Sequence, residues 1–129
     1  MTDPDGLPAA YTAYIDCLNR RELSVLDAFV ADDVRYNGEQ VGLKGYRGML
    51  EGNYRNIPDL RFTVDLLVCE PPYVASRLAF DCSPAGQFLG LAVNGRRVRF
   101  AENVFYRYRM GRISEVWSVI DKAAIEAQL

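Results

Sequence analysis

The 129-residue chain contains no histidine. That absence removes the serine–histidine–acid triad, the histidine-paired cysteine nucleophile and histidine-ligated zinc together. Cysteine is scarce too: Cys17, Cys69 and Cys82 are odd in number, widely spaced and never arranged as Cys-x-x-Cys. A cysteine-only zinc site and a disulfide framework are therefore not expected. Their apolar neighbours Ile15, Leu18, Val68 and Phe80 suit small buried hydrophobes in a reducing compartment. No apolar run approaches the roughly 20 residues of a membrane-spanning helix. The glycines follow neither the Gly-x-Gly-x-x-Gly nor the P-loop spacing, so no nucleotide is implied. With a formal net charge of −2, no global field draws the chain to nucleic acid or to an anionic membrane. The opening MTDPDGLPAA has neither the basic nor the apolar region of a secretion leader, and the cytoplasm is the expected location. The chemistry that remains belongs to carboxylates, tyrosines, arginines and amides.

The length fits one domain, 1–129, able to bury roughly two-thirds of the surface its unfolded form exposes. Tyr11, Tyr14, Ile15 and Leu18 recur at i, i+3, i+4 and i+7, which predicts an amphipathic helix over 8–20 with Pro8 in its first turn. A second short helix is expected from Ser24 to Val30, then a short strand from Val34 to Asn37. A third helix spans Gly42 to Asn56, weakened by Gly48 and Gly52, and Pro58 follows it.

Beyond Pro58 the pattern turns to β. Leu60, Phe62, Val64, Leu66 and Val68 alternate with polar residues; Tyr73 to Cys82 and Val98 to Arg109 form two further strands. Gly86 to Gly95 is expected to be a loop or irregular hairpin. Helices first and a meander second predict an α+β fold, a curved antiparallel sheet wrapped around N-terminal helices with a pocket at its open end. On the long strand Val98, Phe100, Glu102, Val104, Tyr106 and Tyr108 share the face expected to line that pocket. A buried Glu102 needs a partner or a proton, and Arg77 on the neighbouring strand is a plausible partner. The opposite face carries Arg99, Arg107 and Arg109 around Phe105, which suits a solvated or subunit-contacting surface.

The last strand, reached through the Met110-Gly111 turn, is the most informative segment. Strand alternation puts Ile113, Glu115, Trp117 and Val119 on one wall that ends in Asp121. A carboxylate at the end of such a wall is desolvated, which raises its pKa and suits a general acid/base. Aspartate before a short helix, here from Lys122, is equally a helix cap. Both readings stand.

Three stretches together resemble the SnoaL-like polyketide cyclase (ester cyclase) family of the nuclear transport factor 2-like superfamily. They are Ile57 to Arg61, the glycine loop from Gly86 through Gly90 and Gly95 to Val98, and the run from Tyr106-Arg107 through Gly111 to Ile113, Glu115, Trp117 and Asp121. The resemblance spans about Tyr11 to Leu129. It implies a cone of curved sheet with three N-terminal helices, usually a homodimer, that closes a ring by intramolecular aldol condensation without metal or cofactor. It also implies that Asp121 is the general acid/base. Where the family commonly has a histidine two residues before the first loop glycine, this chain has Pro84. Where a polar residue follows the first strand, it has Asn37.

An aldol step needs a base, donors for the enolate oxygen and a dry cavity. The expected assignment is Asp121 as base and Asn37 or Tyr36 as donor. Trp117, Phe88, Tyr106, Glu102 and Arg77 are the expected contacts for a hydrophobic small-molecule ligand, under a glycine-loop lid. The alternative is a non-catalytic ligand-binding domain, or a dimeric interaction domain of the same fold. A homodimer joined through the Phe105 face is expected in either case.

Overall fold

The computed structural model describes residues 6–129; residues 1–5, part of the N-terminal segment inspected above for a leader, lie outside the described residues. Helix α1 (Gly6–Arg20) buries Tyr11, Tyr14, Ile15, Cys17 and Leu18, the stripe that the 3.6-residue period predicts. Each large apolar side chain so buried is worth about 1.5–3 kcal/mol relative to exposure. A 3₁₀ turn (Leu23–Ala28) leads into strand β1 (Val30–Tyr36). A short β2 (Glu39–Gln40) follows, then α2 (Gly42–Asn56) with the bounds the sequence predicts. The rest is β3 (Thr63–Glu70), β4 (Tyr73–Cys82), a small hairpin of β5 (Gln87–Phe88) and β6 (Leu91–Ala92), β7 (Val98–Arg109), β8 (Arg112–Ile120) and the closing α3 (Lys122–Glu126). Among these residues no helix is long and apolar enough to cross a membrane.

Six strands form one sheet in the order β2-β1-β8-β7-β4-β3, with β5-β6 apart. The sheet is mixed rather than wholly antiparallel, because β1 runs parallel to β8. More than seventy residues separate these two strands, so no tight hairpin dictates their relative direction. The inner face of β7 is the one expected: Val98, Phe100, Val104, Tyr106 and Tyr108 are buried, while Arg99, Phe105, Arg107 and Arg109 point outward. The core lies between this face and the helices α1 and α2.

Two bulges decide what the other strands show. In β3 the register slips at Asp65: Val64 faces Leu78, but Leu66 faces Arg77. A one-residue insertion reverses every later side chain. Phe62 is therefore buried while Leu66 and Val68, in the same alternating series, emerge on the outer face more than half exposed. In β8 the slip falls at Ser114, since Tyr108 pairs with Ile113 but Arg107 pairs with Glu115. Ile113 and Val116 are both buried, and Val119 is 69% exposed.

Candidate functional site

A cavity of about 160 Å³ opens between α2, the inner faces of β4 and β7 and the β5-β6 hairpin. Four phenylalanines wall it: Phe62, Phe80, Phe88 and Phe100. Their rings form a chain, with centroids 5.5 Å apart for Phe62–Phe80, 5.2 Å for the stacked Phe80–Phe100 pair and 5.7 Å for Phe88–Phe100. Offset and edge contacts of this kind stabilise an aromatic wall beyond its buried area. The polar groups of the lining are Tyr36, Asn53 and Glu102. A narrower space of about 50 Å³ continues inward, sharing Tyr36, Met49, Asn53, Phe62 and Glu102.

Glu102 sits mid-strand on the inner face of β7, opposite Leu78 on one side and Ile120 on the other. Burial pushes its carboxyl above the ordinary carboxylate range, and a hydrogen bond donated by the Ser118 hydroxyl opposes that shift. Tyr36 lies alongside. Burial also raises its phenol, with the Ser118 hydroxyl partly offsetting and the Glu102 charge adding to the rise. Among the described residues Glu102 is the one carboxyl that lines either cavity, and no lysine or arginine does. A buried carboxyl with a raised pKa in a cleft is the kind of group that serves as a general acid/base.

The backbone of Ser118 is held by Asn37. The Ser118 amide donates to Asn37 Oδ1 at 2.8 Å, and Asn37 Nδ2 donates back to the Ser118 carbonyl at 3.3 Å. Asn37 adopts a φ of +49°, in the left-handed region that asparagine tolerates better than most residues. Deeper in the core, Tyr11 donates to Ser76 Oγ at 2.8 Å and contacts the Tyr106 hydroxyl at 3.3 Å, while Tyr14 and Tyr46 share a 2.6 Å bond. Burial pushes all four of these phenols up, so they are neutral donors at physiological pH.

The glycine segment, expected as a loop or irregular hairpin, is a folded hairpin. Leu89 and Gly90, both at positive φ, form its tip. Its base is closed by bonds from the Gly95 amide to the Pro84 carbonyl at 2.6 Å and from the Asn94 amide to the Gly86 carbonyl at 2.9 Å. The Ala85 amide ties it to the end of α2 through the Asn56 carbonyl at 2.8 Å, and Val93 is buried beneath it.

Of the residues expected at the site, Phe88, Tyr36 and Glu102 meet at the larger cavity, and Tyr106 lines only the inner space. Four others lie elsewhere. Asp121 is exposed, and its carboxylate accepts the Ala124 amide at 3.1 Å as the cap of α3. Trp117 faces outward beside Phe105, because the bulge at Ser114 exchanges the two faces of β8. Arg77, half exposed, pairs with Asp65 at 3.6 Å on the outer surface; Leu78 holds the inward position, so Arg77 is not the partner of Glu102. Asn37 spends both ends of its amide on the Ser118 backbone and is exposed outside the lining. Sequence reasoning missed Ser118 and Asn53. Ser118 is legible only once the bulge is known, and Asn53 lies on the helix face one turn before Ile57.

Known proteins share this fold. The model of the SnoaL-like polyketide cyclase family matches residues 9–129. A SnoaL-like polyketide cyclase from Agrobacterium tumefaciens is 49% identical, with 95% of this chain and 96% of that one covered and a TM-score of 0.94. TsrD from Streptomyces laurentii shares the fold at 21% identity, with 99% and 97% of the chains covered and a TM-score of 0.85. IdmH from Streptomyces antibioticus does so at 22%, with 94% and 96% covered and a TM-score of 0.80. No curated protein matches the chain.

Proposed function

The chain belongs to the SnoaL-like polyketide cyclase family, and from that membership we propose that it is a cofactor-free enzyme performing aldol-type ring closure or a related proton transfer, with Glu102 as general acid/base. The observation that carries this reading is the buried Glu102 carboxyl in the aromatic wall, held by Ser118 and next to Tyr36. In its ionised form Glu102 takes a proton from the carbon alpha to a carbonyl. The electron pair moves to the carbonyl oxygen, where the Tyr36 hydroxyl and the Asn53 amide supply donors. The enolate carbon then bonds to a second carbonyl carbon of the same molecule, and the new alkoxide takes the proton back from Glu102. Asp121, which the family resemblance made the expected base, is engaged with α3 and keeps a structural role in this scheme.

The test is proton exchange at the alpha carbon of cyclohexanone in D₂O, followed by NMR, for the wild type and for Glu102→Gln. The wild type should accelerate exchange and Glu102→Gln should lose about a hundred- to ten-thousand-fold, the usual worth of a positioned acid/base. Full activity in Glu102→Gln would overturn the assignment.

A second reading concerns the partner rather than the chemistry. Leu66, Val68, Tyr73, Phe105 and Val119 expose 46–69% of their surface on one side of the sheet. Val68, Tyr73 and Phe105 line a shallow groove of about 390 Å³ together with Glu70, Ala75 and Trp117. Apolar area of that kind marks an interaction surface, and the reading it supports is a homodimer joined through the outer sheet face.

A further inference from the structure

Strand β8 extends beyond its partner on one side. Strand β1 ends at Tyr36, which pairs with Val116, and the chain then turns through Asn37 and Gly38, both at positive φ. β8 continues to Ile120, paired on its other side with β7. The Asn37 backbone amide still donates to the Val116 carbonyl at 2.9 Å. In a continued parallel ladder the next bond would run from the Ser118 amide to the Asn37 backbone carbonyl. It runs instead to the Asn37 side chain: the Ser118 amide donates to Oδ1 at 2.8 Å, and Nδ2 donates to the Ser118 carbonyl at 3.3 Å. The side-chain amide stands in for a peptide group where the backbone leaves the sheet. Asparagine suits both tasks, since it tolerates the left-handed region and carries an amide of its own.

The side chains of Trp117 and Val119 lie on the outer face. Strand geometry at Ser118 therefore sends its side chain inward, where the hydroxyl donates to Glu102. The other polar groups around that carboxyl are phenols: Tyr36 from β1, Tyr46 from α2, Tyr11 from α1 and Tyr106 from β7 itself. Burial raises all four, and the Glu102 charge raises them further, so they are neutral at physiological pH. Strand β4 presents Leu78, while Arg77 pairs with Asp65 on the outer surface and Asp121 caps α3. Among the described residues the Ser118 hydroxyl is the one group that works against the rise imposed on Glu102 by burial.

We propose that Asn37 is a positioning residue for Glu102, acting through Ser118: its side-chain amide completes the ladder that β1 leaves unfinished and so aims the Ser118 hydroxyl at the carboxylate. The positioning rests on the geometry alone; its bearing on catalysis rests on the acid/base reading above.

The test is the ¹³C NMR titration of Glu102 in the wild type, Ser118→Ala, Asn37→Gly and the double variant, with the resonance identified by its loss in Glu102→Gln. Glycine accepts the positive φ and removes only the amide. Asn37→Gly should raise the Glu102 midpoint by at least half the rise seen in Ser118→Ala. The double variant should match Ser118→Ala, as two groups acting along one route do. No rise in Ser118→Ala, a smaller rise in Asn37→Gly, or a double variant that rises beyond Ser118→Ala would each overturn the proposal. If Asn37→Gly fails to fold, the Asn37 side-chain amide decides. Its ¹⁵N shift should move through the Glu102 midpoint in the wild type and stay flat in Ser118→Ala; a flat shift in the wild type, or movement in Ser118→Ala, would overturn the proposal. Alpha exchange separates the two readings. If Glu102→Gln keeps full exchange while the midpoints shift as expected, the acid/base reading fails and Asn37 still positions the carboxyl. If the midpoints stay put while Glu102→Gln loses exchange, the reverse holds.

Discussion

Ser118 on β8 donates its hydroxyl to the carboxylate of Glu102 on β7, two strands side by side, so the one acid of the cavity lining among the described residues is held by a neighbouring hydroxyl. This contact opposes the rise that burial imposes on Glu102. Ser118→Ala removes the opposing donor and leaves the desolvation. The inflection below which the base is lost should therefore move to higher pH. Alpha-exchange rates measured against pH in the two proteins check the direction, and an unchanged inflection would disconnect Ser118 from Glu102.

The same group ties stability to pH. Its folded-state value is raised above that of the unfolded chain, so the folded protein binds the proton more tightly. The contribution is fully present below the ordinary carboxyl value of about 4.3. It is lost as pH rises through the raised folded value. Glu102→Gln should lack this decline, and urea midpoints for both proteins from pH 4 upward should converge at the acidic end and separate towards neutrality.

Asp121 offers the complementary case. As the cap of α3 it accepts one backbone amide while remaining exposed. Asp121→Ala should cost about 1 kcal/mol of stability, as cap removal commonly does, and leave alpha exchange within threefold of wild type. Denaturant melts and the exchange assay read the two effects separately. A loss of exchange beyond a hundredfold would return the acid/base role to this residue.

The outer sheet face carries its own prediction. Phe105, 58% exposed, lies opposite Trp117 across the β7–β8 pair and opposite Ala75 across β4. Phe105→Asp should place charge in the centre of the apolar groove and shift sedimentation at micromolar concentration from dimer to monomer, with exchange activity per chain retained. A wild type that sediments as a monomer would remove the dimer reading.

Much of this architecture was legible in the residues. The bounds of α2, β4 and β7 follow from strict periodicity, and the split of β7 into a Glu102 face and a Phe105 face needed only alternation. What alternation could not supply was the pair of bulges. Asp65 and Ser114 each insert one residue against a partner strand, and a bulge is a property of the pairing rather than of either segment alone. Ser114 moved Trp117 out of the site and brought Ser118 into it. Asp65 turned Leu66 and Val68 outward and built the apolar outer face. The parallel pairing of β1 with β8 was likewise hidden, since no turn joins them. Asp121 was read in two ways from the sequence, and the bond from the backbone amide of Ala124 shows the cap.

The buried Glu102 carboxyl is the proposed carrier of the proton. Its most direct measurement is the ¹³C NMR titration of the glutamate side-chain carboxyls, with the Glu102 resonance identified by its loss in Glu102→Gln, overlaid on the pH dependence of alpha exchange. The Glu102 midpoint should lie above the ordinary carboxyl value of about 4.3 and coincide with the inflection of the exchange rate. A midpoint at the ordinary value, or an exchange inflection that persists unchanged in Glu102→Gln, would contradict it.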